Sequence, residues 1–461
     1  MSDKLKKIAS AGFERSFKLA SWTAKTSAKW AGSKIKQKFA DEVRKNELLE
    51  KFIVEQLESL TKEMGQLKGS VMKAGQMLSV YGEHFLPEQA NEFLKTLQFQ
   101  SPPLEFSEIE KALKVQLGDL LEELDVEEES FAAASLGQVH LATVKATGER
   151  LALKVQYPGV DKAIDADIRF LRKLLKTFGT LSPNYDADIV LSEIKTMLHQ
   201  EVDYKQEAEQ TKSYRNYFQE NDRLIIPKIF DRYSTDKVLA TQFIDSVPFD
   251  DESVLELTDD IRNDLGRVFL DYYYNELFRW GRVQTDPHFG NFRIQLQDNG
   301  LPKIVLLDFG AVRILDDSFK HPYKTMIGSA FRKERKSFFA ASEELGFVKP
   351  EDAMEHREFF YDFCQLMVEP FSEKYKDEGF DYQDSELPQQ VFQVGKEMVA
   401  RFKFRTPPPE LIFLDRKLGG TFVVLSRLKA KLYAKDLFEK YLNMPYLETD
   451  GPTKAQVVQE D

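Results

Sequence analysis

One cysteine in 461 residues, Cys364, is too few for an intrachain disulfide or a cysteine-rich metal cluster. A reducing, cytoplasmic setting suits such a chain. No run of 18 or more uninterrupted apolar residues occurs, so no membrane-spanning helix is expected. The N-terminus lacks the apolar stretch of a secretory signal as well. Positive charge is in deficit: 64 Lys and Arg stand against 76 Asp and Glu, a formal net charge of −12. That balance argues against nucleic acid as a partner. Tandem repeats and low-complexity tracts are also missing. Phenylalanine is plentiful, 36 in all within a hydrophobic fraction of 42%, enough for two buried cores at this length.

The charge deficit is uneven. Residues 1–40 hold ten Lys or Arg against Asp3 and Glu14, so this segment is near +8 while the remainder is near −20. Phe13, Phe17, Ala20, Ala24, Ala28, Ala31, Ile35 and Phe39 recur at the spacing of one helical face, with Lys spread around the rest. A basic amphipathic helix of this kind suits peripheral contact with an anionic membrane or lipid surface. A solvated, flexible helical tail or a targeting segment is the competing reading, because Trp22 and Trp30 fall off the stripe. Lys far outnumbers Arg here, which speaks against a mitochondrial transit peptide.

Asp286, Asn291 and Asp308 carry the sharpest signal. They lie in Gln-Thr-Asp-Pro-His-Phe-Gly-Asn and Leu-Leu-Asp-Phe-Gly, in the order and spacing of His-Arg-Asp-Leu-x-x-x-Asn and Asp-Phe-Gly of protein kinases. Phosphoryl transfer needs magnesium held by a carboxylate and an amide oxygen, and a second carboxylate to orient the acceptor. Asn291 and Asp308 are therefore the expected metal ligands and Asp286 the catalytic carboxylate. Between them, FRIQLQDNGLPKIVLLD predicts two short strands around an Asp-Asn-Gly turn, which folds the two ligands back toward each other.

Lys154, in Leu-Ala-Leu-Lys, matches the kinase Val-Ala-Ile-Lys strand, whose Lys holds the α and β phosphates. A Lys at the end of an apolar strand needs a partner for its ammonium. Glu201-Val-Asp-Tyr-Lys-Gln-Glu207 offers three carboxylates on a helix expected to span 187–219. At 100° per residue Asp203 and Glu207 share a face and Glu201 does not share it with Asp203. Glu207 is thus the first choice for Lys154, with Glu201 the second. Ala132-Ala-Ala-Ser-Leu-Gly-Gln138 stands where kinases carry Gly-x-Gly-x-x-Gly over the phosphates. Ala133, Ala134, Ser135 and Gly137 are the expected nucleotide contacts. A loop of alanines is stiffer than one of glycines, since alanine rarely takes positive φ.

Coarse periodicity places these motifs. Residues 41–97 read as helix, ended near Pro102-Pro103, and a short helix follows over 107–124. Three strands are expected near Phe131, over 138–144 and over 150–156, and then helix over 159–178 and 187–219. IIPKIFDRYSTDKVLATQFID supplies two further strands, and helix resumes through Trp280 and again over 317–441, interrupted at Pro407-Pro408-Pro409. The expected organisation is a basic segment 1–40, a helical extension 41–125, a five-stranded small lobe 126–244, a helical large lobe 245–445 and a loose tail 446–461.

Taken together, Lys73-Ala-Gly-Gln76, Ala-Ala-Ala-Ser-Leu-Gly-Gln-Val-His, Leu-Ala-Leu-Lys-Val-Gln-Tyr-Pro-Gly, Glu-Val-Asp, Thr-Asp-Pro-His-Phe-Gly-Asn and Asp-Phe-Gly-Ala resemble the UbiB-type (AarF-related) family of atypical kinases. The similarity runs over about residues 67–431 and includes Leu414-Asp-Arg-Lys-Leu-Gly-Gly420. It implies an α+β, protein-kinase-like two-lobed fold with an N-terminal helical extension, whose Lys73 and Gln76 pack over the nucleotide pocket against Glu201 or Asp203. It also implies ATP and Mg2+ as cofactors, ATPase behaviour, membrane association, and a role in making ubiquinone or another isoprenoid lipid, with a biosynthetic enzyme complex as partner. Some relatives have a C-terminal membrane-spanning pair that is not found here, and the basic first forty residues are the expected substitute.

Thr285 stands where kinases place the Arg that receives a phosphorylated activation loop, and no Ala-Pro-Glu closes a peptide-docking segment. Protein phosphorylation in trans is therefore not expected. Slow ATP hydrolysis is expected instead, with Asp286 orienting water or a small hydroxyl. A lipid or small-molecule kinase on the same scaffold and a non-catalytic nucleotide-sensing scaffold are the alternatives.

Overall fold

Arg150–Gln156 alternates large and small residues, and the strand it forms has two unlike faces. Leu151, Leu153 and Val155 are fully buried on one side, while Ala152 and Lys154 point to the other. In the computed structural model, which describes residues 70, 73–75, 77–78, 103–134, 136–178, 187–286, 289–298, 300–402 and 409–447, this strand is β3. It is central in an antiparallel sheet of order β1-β2-β3-β5, with β1 Leu124–Ala134, β2 Gly137–Val144 and β5 Val238–Gln242.

The chain divides into two compact units. The first holds the described residues up to Glu220, with Ile226–Ile244 and Asp308–Ala311. Its core lies on the Leu151 face of the sheet, under α1 (Phe106–Leu117), α2 (Val160–Phe178) and α3 (Ala187–Glu201). Ala74, Met77 and Leu78 of the extension join that core, and the buried Ser70 hydroxyl donates to Asp167 of α2. The opposite face is covered by α4 (Tyr204–Tyr217), where Tyr204 and Ala208 pack with Leu239 and Ile229.

Two expectations are corrected in this unit. The helix expected over 187–219 is broken at Val202 and Asp203. Asp203 caps α4 by accepting from the Gln206 amide at 3.0 Å, and the Gln156 side chain donates to the Val202 carbonyl at 2.9 Å. The sheet has four strands rather than five. Leu224–Ile225 (β4) belongs to the second unit, and after Pro227 only a single bridge, Ile229 to Thr241, joins the first sheet. Proline has no N–H to give a ladder.

The second unit holds Asn221–Ile225, Asp245–Leu307 and the described residues from Val312 onward. Its sheet has the order β4-β9-β8-β6, with β6 Val247–Pro248, β8 Phe292–Gln295 and β9 Lys303–Leu306, and β8 and β9 form the expected antiparallel hairpin. Helix does not resume directly after Ile244. The edge strand β6 and one turn, Glu252–Leu255, precede α5 (Asp259–Asn275). An aromatic core of Phe249, Phe269 and Phe292 packs edge to face beneath the hairpin.

α5 runs into a π-turn, Glu276–Trp280, closed by Gly281 at φ +73°, and β7 (Arg282–Gln284) follows, paired with β10 (Val312–Ile314). The remainder is helical as expected: α6 Asp317–Arg332, α7 Arg335–Glu344, α8 Met354–Val368, α9 Leu387–Arg401, α10 Pro409–Arg427 and α11 Lys435–Asn443. A two-residue ladder joins Phe380–Asp381 to Lys431–Leu432. Among the described residues no helix is long and apolar enough to cross a membrane. The expected basic amphipathic helix of residues 1–40 and the tail after residue 447 lie outside the described residues.

Candidate active site

In the first unit, Lys154 emerges from β3 on the α4 side of the sheet. Its Nζ donates to both Glu207 oxygens, at 2.8 and 2.9 Å, and to Asp308 Oδ2 at 3.3 Å, with the Tyr204 ring 5.2 Å away. Burial works against the ammonium charge, but Asp308 and Glu207 outweigh it and hold the Lys154 pKa well above the ordinary lysine value. Burial pushes the Glu207 carboxyl up to about 7, with Lys154 opposing and Asp308 reinforcing the shift. Two carboxylates thus face one ammonium. Asp308 Oδ1 accepts from the Gly310 amide at 2.9 Å. A Cβ on Gly310 would lie 3.3 Å from Asp308 Oδ1 and 3.4 Å from Glu207 Oε2, so glycine leaves the space beside both carboxylates open.

Lys73 pairs with Glu201 at 3.3 Å, both side chains largely buried. Asp203, offered by the sequence as an alternative partner, is the cap of α4, ahead of the helix and not on a face shared with Glu207. Its signal was present: Asp203-x-x-Gln206 has the spacing of a capping motif. Gln76 and Ser135 lie outside the described residues.

The alanine segment differs from expectation. Ala132, Ala133 and Ala134 are not a loop but the end of β1, paired with Val139, Gln138 and Gly137 of β2. They are edge-strand residues whose backbone is partly spent on the ladder. Gly137 is required by close approach, since a Cβ there would meet the Val155 carbonyl oxygen at 2.4 Å and the Tyr204 hydroxyl at 3.0 Å.

In the second unit, β7 delivers Gln284, Thr285 and Asp286, all nearly buried. The Asp286 carbonyl accepts from Gln284 Nε2 at 2.7 Å and from Asn291 Nδ2 at 3.0 Å. With its nitrogen so committed, Asn291 presents Oδ1 as its acceptor end, the end a cation needs. The Leu307 amide donates to the Asn291 carbonyl at 3.0 Å, and Asp308 is the next residue of the chain.

The supporting roles of Glu276, Arg416 and Lys417 in this loop were not foreseen. Glu276 of the π-turn accepts from the Tyr272 hydroxyl and from the Gln284 amide, each at 2.9 Å. Lys417 of α10 pairs with Glu276 at 2.8 Å, both side chains wholly enclosed, and lies 4.8 Å from the Tyr272 ring centre. Burial pulls the Lys417 ammonium down and Glu276 opposes that shift. Lys417 also donates to Gln284 Oε1 at 3.4 Å, and Arg416 beside it pairs with Asp286 Oδ1. The available signal was the charged run Asp415-Arg416-Lys417 set between Leu414 and Leu418, an unlikely pattern for a helix with nothing polar to meet.

Comparisons with known proteins identify the family. A model of the ABC1 atypical kinase-like domain matches residues 96–342. The zebrafish atypical kinase COQ8B, mitochondrial, is 30% identical over 402 residues, covering 87% of this chain and 63% of that protein. The Caenorhabditis elegans atypical kinase coq-8, mitochondrial, is 28% identical, covering 81% of this chain and 49% of its own length. This chain therefore spans less than two thirds of either relative. The solved Mycobacterium tuberculosis protein Rv3197, in complex with erythromycin, superposes with a TM-score of 0.57 at 27% identity, over 87% of this chain and 98% of that one. With more than half of its length matched by the family model, the chain belongs to the ABC1, or UbiB-type, family of atypical kinases and has their kinase-like α+β fold.

Proposed function

We propose that this chain is an MgATP-dependent atypical kinase or ATPase that supports isoprenoid-quinone biosynthesis and does not phosphorylate proteins in trans. The observation that carries the reading is Lys154 gripped by Glu207 and Asp308, the Asp of Asp-Phe-Gly. The second carboxylate, Asp308, and the space left by Gly310 fit a divalent cation there. Asn291 and Asp308 would hold magnesium, which when bound neutralises phosphate charge. Lys154 holds the α and β phosphates, Glu207 orients Lys154, and Asp286 orients the hydroxyl or water that attacks. Lys73 and Glu201 are proposed to border the nucleotide pocket. The quinone-lipid role rests on the family alone.

Asp286→Asn tests the mechanism. Magnesium-dependent phosphate release is expected to vanish while nucleotide affinity stays within about threefold, because orientation of the acceptor is lost and phosphate binding is not. Turnover at the normal rate in this variant removes Asp286 from the chemistry. A nucleotide-dependent thermal shift without phosphate release in the unmodified protein would favour a sensing scaffold instead.

A further inference from the structure

We infer that Arg416 is the residue that sets the direction of the Asp286 carboxylate, so that α10 positions the active carboxylate from a helix far along the chain. The inference rests on the role proposed for Asp286. The main chain at Asp286 is fixed by two hydrogen bonds to its carbonyl, from Gln284 and Asn291. Gln284 is fixed in turn by Lys417 and Glu276. These contacts place the backbone. Arg416, 130 residues away in sequence, takes Oδ1 with its Nη2. A guanidinium there favours one rotamer of the aspartate.

Arg416 is a fixture and not a removable latch, because its neighbour is immobile. Lys417 and Glu276 form an ion pair with no solvent access, and withdrawing this turn of α10 would strand both charges. Arg416 itself is 19% exposed and Asp286 12%, so the second pair is partly shielded and its charge effect is not fully screened by water. Thr285 is uncharged at the position before Asp286, so the cation beside this aspartate comes from α10 instead.

The test compares the full chain with Arg416→Ala, Arg416→Gln and Arg416→Lys, reading kcat, KM for ATP and Tm. Arg416→Ala is expected to lower kcat by about 10- to 100-fold with KM within about twofold, as misplacement of a reacting group does. Arg416→Gln should show the same split between kcat and KM, because a neutral amide holds the carboxylate less firmly than a guanidinium. Arg416→Lys, which keeps the charge but not the fork of donors, should recover part of kcat at an unchanged KM. Should Arg416→Ala fail to fold, the Gln and Lys variants make the same comparison. Unchanged or increased kcat overturns the inference, and so does a lower kcat that comes with a comparable rise in KM or that Arg416→Lys does not partly recover. Silence of the unmodified protein would instead overturn the functional reading. The pair is then judged by a urea cycle of Asp286→Ala and Arg416→Gln: non-additive midpoint losses uphold it and additive losses overturn it.

Discussion

At the scale of single residues, the unusual feature is charge arithmetic around Lys154. A lone ammonium serves two carboxylates, and one of them, Glu207, is 2% exposed. Because burial raises the Glu207 pKa from 4.5 to about 7, the folded chain binds more protons than the unfolded chain across that interval. Stability from this group is therefore highest below the ordinary carboxylate pKa and declines as pH rises through about 7. Removing the ionisable group removes the dependence. Glu207→Gln is expected to flatten the fall in Tm between about pH 5 and pH 8 that the unmodified apo protein shows, measured as the difference between the two Tm curves. Parallel curves would show that Glu207 ionises normally. The variant should also lose nucleotide affinity, since a neutral amide orients Lys154 less firmly than a bidentate carboxylate.

At the scale of elements, what could be read in the chain was local and periodic. β2 and β3 announced themselves by alternation, and the β8–β9 hairpin by its Asp-Asn-Gly turn. β1 was read too short because Glu127, Glu128 and Glu129 look like a solvated acidic run, yet an edge strand carries such charges without cost. The break before α4 was missed because Val202 and Asp203 include neither Gly nor Pro, and only the cap stops the helix. Arg416 and Lys417 were missed for a different reason: the charged run shows that they need polar partners, but those partners, Asp286 and Glu276, lie in elements more than a hundred residues earlier and no local pattern names them. The β2–β3 hairpin offers its own test at Gly137. Gly137→Ala must push β2 off β3 or displace the Tyr204 ring, because the new Cβ would sit 2.4 Å from the Val155 carbonyl oxygen. A loss of about 1–3 kcal/mol in urea unfolding is expected. Nucleotide affinity should fall alongside, since Tyr204 also packs on Lys154. Unaltered stability would mean that the strands separate at no cost.

For the whole molecule, the decisive property is the separation of charge along the chain, near +8 in residues 1–40 and near −20 over the rest. Each Lys close to an anionic bilayer contributes about 1 kcal/mol, and that attraction decays within a Debye length. The body, with its negative excess, is repelled by the same surface. Attachment to membrane should then be carried by the first forty residues and be lost on adding salt. ATP turnover by the full chain is expected to rise with anionic liposomes and to be indifferent to neutral ones. A chain starting at Asp41 should bind neither and keep only its basal rate. Equal stimulation of both chains would place the lipid-responsive surface on the body and leave the basic segment without a membrane role.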